Sequence, residues 1–320
     1  MAILANIILF VVGISVLLAS GSLFVRSLTK ISSFLKISEF VFSFIVVGFA
    51  TSIPELFVGI NAALQGTPSI SLGNVIGSNI ANLTIILGIP ILLAKGLPIK
   101  SPTLKKDSLY MFFIALVPLV LMMFGNQLSR IDGVILISVF VIYSIWLIKQ
   151  RKGFTKHIHD NVKKLDVIIS SFLFIISGII LHYSSKMTVH YASALSVDLL
   201  LPPIFIGLFV IALGTSLPEL VVGLKAASRK QEDIILGNIM GSVVVNSTIV
   251  LGVTSIIMPI TANITIFLTS IGFMILAAFL FTSFVESGNK IYWKEGVAMI
   301  IIYVLFVMIE MYIQGLPGLS

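Results

Sequence analysis

Residues 48–88 and 212–252 are one segment written twice. The first reads GFATSIPELFVGINAALQGTPSISLGNVIGSNIANLTIILG and the second ALGTSLPELVVGLKAASRKQEDIILGNIMGSVVVNSTIVLG. Aligned without a gap at a constant offset of 164, they match at 20 of 41 positions. Unrelated apolar helices share leucines and valines by chance, but not a set of polar residues in register. Here Thr51, Ser52, Pro54, Glu55, Gly73, Asn74, Gly77, Ser78 and Asn82 pair with Thr215, Ser216, Pro218, Glu219, Gly237, Asn238, Gly241, Ser242 and Asn246.

Both copies sit in apolar surroundings. The chain is 58% hydrophobic and 10% charged, with a mean hydropathy of +1.15. That is more apolar surface than a soluble domain can hide, which implies a polytopic membrane protein. The apolar runs are helix-length and rarely alternate in polarity, which argues against a transmembrane barrel. Hydropathy gives ten spans of about 20 residues. They run approximately 3–25, 40–65, 69–95, 107–125, 131–149, 166–185, 202–227, 233–257, 262–285 and 293–313, numbered here 1 to 10. The opening MAILANIILF has no basic residue before its apolar run and no clear cleavage site, so it reads as span 1 rather than a signal peptide. With no cysteine, disulfides, thiolate metal sites and cysteine nucleophiles are excluded.

The charges orient the spans. Loop 1–2 holds Arg26, Lys30 and Lys36, and loop 3–4 holds Lys95, Lys100, Lys105 and Lys106. Loop 5–6 holds Lys149, Arg151, Lys152, Lys156, Lys163 and Lys164. Loop 7–8 holds Lys225, Arg229 and Lys230, loop 9–10 holds Lys290 and Lys294, and the alternate loops hold only Arg130 and Lys186. Eighteen of twenty basic residues thus fall on one side, which the positive-inside rule makes cytoplasmic. The expectation is a multi-pass protein of the cell membrane with both termini outside. The net charge of +7 is then explained by topology and by anionic lipid of the bilayer, without nucleic acid.

The repeats occupy spans 2–3 and 7–8, five spans apart. Five is odd, so the second copy enters the membrane from the opposite face. The predicted fold is an all-α polytopic membrane protein, ten transmembrane helices arranged as two inverted five-helix repeats, with a substrate site between them at the midplane. The expected halves are 1–149 and 166–320, joined by a cytoplasmic linker at 150–165. His157 and His159 in that linker read as residues of a solvated loop.

Within each copy a proline and a glutamate stand side by side in a membrane span. A carboxylate near the bilayer centre costs roughly 2.5 to 3.5 kcal/mol on insertion scales. A proline removes a backbone donor and displaces the carbonyl four residues earlier, so Pro54 should free that of Ala50 and Pro218 that of Gly214. Freed carbonyls in a membrane need protein, water or an ion. Thr51 and Glu55 share a helix face, as do Thr215 and Glu219. Asn74, Ser78 and Asn82 recur every four residues along the next span, as do Asn238, Ser242 and Asn246. Four facing helices would direct these oxygens to one point. A site of oxygens alone, without histidine or sulfur, suits calcium, magnesium or sodium.

Other features read as structural. The G-x-x-x-G pairs, Gly73 with Gly77 and Gly237 with Gly241, permit close helix approach. Asn74 and Asn238 serve equally well as ligands or as caps of broken half-helices. Glu310, near the outer end of span 10, reads as a snorkelling acid.

ATSIPEL at 50–56, GTSLPEL at 214–220 and the paired GN-x-x-GS motifs at 73–78 and 237–242 resemble the calcium:cation antiporter superfamily, in its prokaryotic sodium/calcium exchanger-like branch. The resemblance spans effectively the whole chain. It implies alternating-access exchange of Ca2+ for another cation, with Glu55 and Glu219 as principal ligands and no cofactor. It also implies that Thr51, Ser52, Ser78, Asn82, Thr215, Ser216, Ser242 and Asn246 help form the ion sites, and that Gly48 and Ala212 contribute backbone carbonyls. The chain departs from its relatives in three places: Asn246 stands where many carry aspartate, the second motif reads GSVVVN rather than GSN-x-x-[DN], and Ala50 replaces a usual glycine.

Two carboxylates balance one Ca2+, two Na+ or two H+, so the expected stoichiometry is two-for-one, electroneutral or weakly electrogenic. Na+ is favoured as coupling ion by the motif and its hydroxyls. H+ is the alternative, since burial penalises a charged carboxylate. A cation channel needs similar oxygens, but glutamates packed between broken helices of an inverted repeat favour an occluding carrier. An intramembrane enzyme is disfavoured: there is no H-E-x-x-H, every histidine is expected in or beside a loop, and no membrane aspartate pair occurs.

Overall fold

The computed structural model describes residues 2–34, 48–99, 102–150, 164–261 and 264–313. The described chain is almost wholly helical. Lipid offers the backbone no hydrogen-bond partner, so a spanning segment must satisfy its own N–H and C=O groups. Nine helices among the described residues are long and apolar enough to cross a membrane. The remaining expected span, span 2 at 40–65, is described from Gly48 onward and contains the helix Ile53–Leu64. Residues 151–163, most of the expected linker with His157 and His159, lie outside the described residues, as do Lys36 and Lys100.

Two spans are longer than hydropathy suggested. Span 1 is the 33-residue helix Ala2–Phe34 and span 6 the 35-residue helix Lys164–Asp198. At 1.5 Å per residue each reaches about 50 Å, well beyond the ~30 Å hydrocarbon layer. Arg26 and Lys30, expected in loop 1–2, and Lys186, expected in loop 6–7, therefore sit on helices. His182 and His190 likewise lie within span 6 rather than in a loop. The expectation ended these helices at their first charged residues, but long basic side chains allow a helix to continue past the apolar layer. Spans 1 and 6 pack lengthwise against each other outside the repeat helices.

The repeated segments form the centre. In their most apolar windows Pro68–Leu93 is 83% buried and Glu232–Ile257 is 89% buried, against 22% for span 1 and 17% for span 6. The hairpins within the two copies turn alike. Gly66 and Lys230, 164 apart, both have positive φ (77° and 55°), and the next residue's N–H returns to Ala62 and Ala226 at 2.9 Å. Glycine takes this left-handed conformation freely and lysine does so at a cost.

The halves are interwoven rather than set side by side. Span 5, Arg130–Gln150, packs on the second part of span 8, and span 10, Trp293–Ile313, packs on the second part of span 3. The loops repeat this exchange. Leu97–Pro98 of loop 3–4 pairs antiparallel with Lys290–Ile291 of loop 9–10, while Leu128 of loop 4–5 bridges Ile260 of loop 8–9. Shifted by 164 residues, one pairing falls within a residue of the other. The first joins two lysine-bearing loops and the second joins two of the alternate loops, as an inverted repeat requires.

Candidate functional site

Each repeat breaks its first helix at the serine before the proline. Gly48–Thr51 and Ile53–Leu64 are separated by Ser52 (φ −83°, ψ 4°), and Ala212–Thr215 and Leu217–Ser228 by Ser216 (φ −84°, ψ 1°). Pro54 and Pro218 open the new helices within their first two positions, where a missing N–H is harmless. Glu55 and Glu219 follow in the first turn, and both are fully buried.

The second helix of each repeat is also interrupted. A π-turn covers Asn82–Ile86 in span 3 and Asn246–Val250 in span 8. Each begins at a candidate ligand, and such turns concentrate at functional sites. The threonine two residues on bonds back to a preceding carbonyl: Thr84 Oγ1 to Ile80, and Thr248 Oγ1 to Val244 at 2.5 Å. Neither π-turn was foreseen from the sequence, where π geometry leaves no composition signal.

The buried polar groups assemble into two half-cages, each drawn from both repeats. In one, Ser78 Oγ lies 3.5 Å from Glu55 Oε1, 3.5 Å from Thr215 Oγ1 and 3.4 Å from the Ala212 carbonyl. In the other, Ser242 Oγ donates to Glu219 Oε1 at 3.1 Å and lies 3.0 Å from Thr51 Oγ1 and 3.4 Å from the Gly48 carbonyl. A carboxylate and hydroxyl from one repeat therefore meet a hydroxyl and carbonyl from the other. The carbonyls that receive hydroxyls are those of Gly48 and Ala212, one turn before the breaks.

Close backbone approach makes this possible. A Cβ on Gly77 would overlap the Leu208 carbonyl oxygen, and one on Gly48 would lie 2.8 Å from the Cα of Gly241. The small residues thus serve contacts between span 3 and span 7, and between span 2 and span 8.

Asn74 and Asn238 hold the hydroxyls of the opposite repeat. Thr215 Oγ1 donates to Asn74 Oδ1 at 3.1 Å and Thr51 Oγ1 to Asn238 Oδ1 at 3.2 Å. Asn79, which the sequence did not single out, donates from Nδ2 to Ser247 Oγ at 2.9 Å and accepts from Asn246 Nδ2 at 3.2 Å. Its signal was available: position 243, its counterpart, is valine, so a buried amide stands there without a mirror partner.

Several buried oxygens of this cluster have no hydrogen-bond partner: Ser52 Oγ, Ser216 Oγ, Glu55 Oε2, Glu219 Oε2, Asn82 Oδ1 and Asn246 Oδ1. An unpartnered buried polar atom costs about 1–3 kcal/mol, more when charged. Three amide nitrogens of the same cluster, Asn74, Asn82 and Asn238 Nδ2, also lack partners, but the six bare oxygens are a donor set that suits a hard cation. Outside the cage, Glu310 is fully buried and accepts hydrogen bonds from Thr269 and Ser270, so it does not snorkel. The helix face it occupies, rather than its distance from the helix end, decides this.

An inverted-repeat bundle with a buried, duplicated oxygen site defines a membrane transporter, not an enzyme. The family model described as sodium/calcium exchanger protein matches residues 5–149 and 169–312, and the chain belongs to that family. Among curated relatives, the sodium/calcium exchanger MaX1 of Methanosarcina acetivorans is 28% identical, over 96% of this chain and 99% of its own. The putative antiporter CaxA of Alkalimonas amylolytica is 30% identical, over 79% of this chain and 81% of its own. A solved structure of the sodium-calcium exchanger NCX_Mj, soaked with 10 mM Na+ and 10 mM Sr2+, superposes with a TM-score of 0.68 at 28% identity, covering 95% of this chain and 98% of that one.

Proposed function

We propose that the chain is a secondary active antiporter that exchanges Ca2+ for Na+ by alternating access at the midplane cage. Glu55 and Glu219 are its principal ligands. Thr51, Ser52, Ser78, Asn82, Thr215, Ser216, Ser242 and Asn246 supply side-chain oxygens, and Gly48 and Ala212 supply carbonyls. The observation that carries this reading is the set of partnerless buried oxygens, drawn symmetrically from both repeats. The similarity to MaX1 and NCX_Mj, both named as sodium/calcium exchangers, supports the choice of ions.

Two carboxylates and two amides set the charge. One Ca2+ and two Na+ each neutralise the glutamates, so exchange is two-for-one and weakly dependent on voltage. The protein sits in the cell membrane with both termini outside, its halves 1–149 and 166–320 joined by the segment 150–165 on the cytoplasmic side.

The test is radiolabelled Ca2+ uptake into proteoliposomes under an imposed Na+ gradient or pH gradient. Uptake is expected with Na+ inside, and uptake driven by a pH gradient alone would make the protein an H+/Ca2+ exchanger. Clamping the voltage tests stoichiometry, because uptake steeply driven by membrane potential contradicts two-for-one exchange. Normal transport by both Glu55→Gln and Glu219→Gln would overturn the site itself.

A further inference from the structure

Span 10 carries a buried acid that the cage does not use. Its buried residues are Gly296, Met299, Tyr303, Phe306 and Glu310, spaced three or four apart on one face. Glu310 thus continues the stripe that packs into the protein, and its carboxyl points toward neither lipid nor water. Facing it on span 9, Thr269 and Ser270 both donate to Oε1 at 2.7 Å. Oε2 is buried as well and has no partner. Glu310 and Ser270 are essentially inaccessible, whereas Thr269 is half-buried. The first repeat has nothing equivalent: the counterpart of Glu310 is Trp146, and those of Thr269 and Ser270 are Lys105 and Lys106.

A carboxylate inside a membrane protein needs a compensating charge, and acids so placed are functional by default. Here two hydroxyl dipoles serve one oxygen and the other is left bare. We propose that Glu310, Thr269 and Ser270 form a second cation site between spans 9 and 10, for a hard monovalent cation of the sodium class. The donor set is oxygen only, which suits a hard ion. A hydroxyl that donates its one hydrogen to Oε1 is still an acceptor, so Ser270 can offer an oxygen to a metal. A single carboxylate is neutralised by one monovalent charge, while a divalent ion would leave a surplus positive charge in the membrane interior. Span 10 also packs on the Asn82–Ile86 π-turn, so an ion held here braces the wall behind one half-cage.

This site is separate from the exchange cage, and the experiment keeps them apart. The full chain carrying Glu55→Gln and Glu219→Gln is unfolded thermally across a Na+ titration, with choline holding ionic strength constant. A ligand that binds the folded state raises its melting temperature with concentration. The expected result is a remaining Na+-dependent rise, lost when Glu310→Gln is added. In the otherwise unaltered chain, equilibrium binding of radiolabelled Na+ should fall by one ion per chain in Glu310→Gln. Thr269→Val with Ser270→Ala should raise the Na+ midpoint at this site by about tenfold, equivalent to 1.4 kcal/mol. The proposal is overturned if the cage-disabled chain shows no Na+ dependence, if the rise survives Glu310→Gln, or if acidification without Na+ reproduces it. None of these outcomes touches the cage assignment, which fails only if the two glutamate variants transport normally.

Discussion

Asn82 and Asn246 occupy equivalent positions, each opening a five-residue π-turn, yet only Asn246 is held. Its Nδ2 donates to Asn79, whose own Nδ2 donates to Ser247. With the amide nitrogen fixed, the free Oδ1 of Asn246 can only face away from Asn79, presenting an oxygen. Both polar atoms of Asn82 lack partners. The residues that would tether it, at the positions mirroring Asn79 and Ser247, are Val243 and Leu83. The departure of the second motif from its usual pattern, GSVVVN, therefore acts on Asn82, the first repeat's candidate ligand. On the proposed site, one amide is pre-oriented to offer its oxygen to a cation and the other is left to adapt. Pre-orientation lowers the ordering cost of binding.

The largest expected effect concerns what the half-cages have in common. Glu55→Gln and Glu219→Gln should each lower Ca2+ uptake about 100-fold or more, because each removes half the neutralising charge from a preorganised site. Near-equal losses are expected from the mirrored environments, measured as initial uptake rates in proteoliposomes. A variant that kept a tenth or more of the normal rate would break the equivalence of the two acids.

Asn79→Val tests the difference directly. It gives the first repeat the residue of the second and frees the Asn246 amide, so apparent Ca2+ affinity should fall about tenfold, as for loss of a group that orients a metal ligand. The maximal rate should change little. In the Asn246→Asp background the same substitution should change affinity less than about twofold, since a carboxylate presents an oxygen in either orientation. An undiminished loss there would make Asn79 a packing residue rather than a positioning one.

Val243→Asn runs the comparison in reverse. An amide at 243 gains Asn82 as a possible partner but meets Leu83 where Asn79 meets Ser247. Its second polar group is left unsatisfied, costing about 1 kcal/mol of stability. Thermal unfolding should report this as a lower melting temperature. Unchanged stability with tighter Ca2+ binding would show that the adaptable half-cage tolerates a tether.

Much of this was legible in the sequence, and the misses share a cause. The repeat, a disturbance of each first helix near its proline, and the convergence of Glu55, Glu219, Ser78, Ser242, Thr51 and Thr215 follow from prolines and polar residues placed where lipid rejects them; that the breaks fall at Ser52 and Ser216 does not. What escaped depends on contacts between halves. A motif aligns Asn79 with Val243 but does not say that Asn79 reaches the opposite repeat. Each half-cage likewise takes its second hydroxyl from across the interface, which no single repeat discloses. Glu310 lies near a helix end, which suggests snorkelling, but its helix face decides its burial. Its spacing from Tyr303 and Phe306 already put it in the buried stripe. The ends of spans 1 and 6 were drawn short because Arg26, Lys30 and Lys186 look like loop residues until the helix is seen to continue through them.

The smallest effect belongs to the far end of the tether. Ser247→Ala removes the acceptor of Asn79 Nδ2, leaving that nitrogen only the Met274 sulfur at 3.9 Å, a weak partner. Asn79 keeps its bond from Asn246, so the tether is loosened and not cut. Apparent Ca2+ affinity should fall about two- to threefold, the equivalent of roughly half a kcal/mol for one neutral hydrogen bond. Because Ser247 acts on Asn246 only through Asn79, adding Ser247→Ala to Asn79→Val should cost nothing further. Groups in one hydrogen-bonded chain are non-additive in this way, and groups acting separately are not. Additive losses in the double variant would mean that Ser247 supports the cage by another route, and the difference between the half-cages would then rest on Asn79 alone.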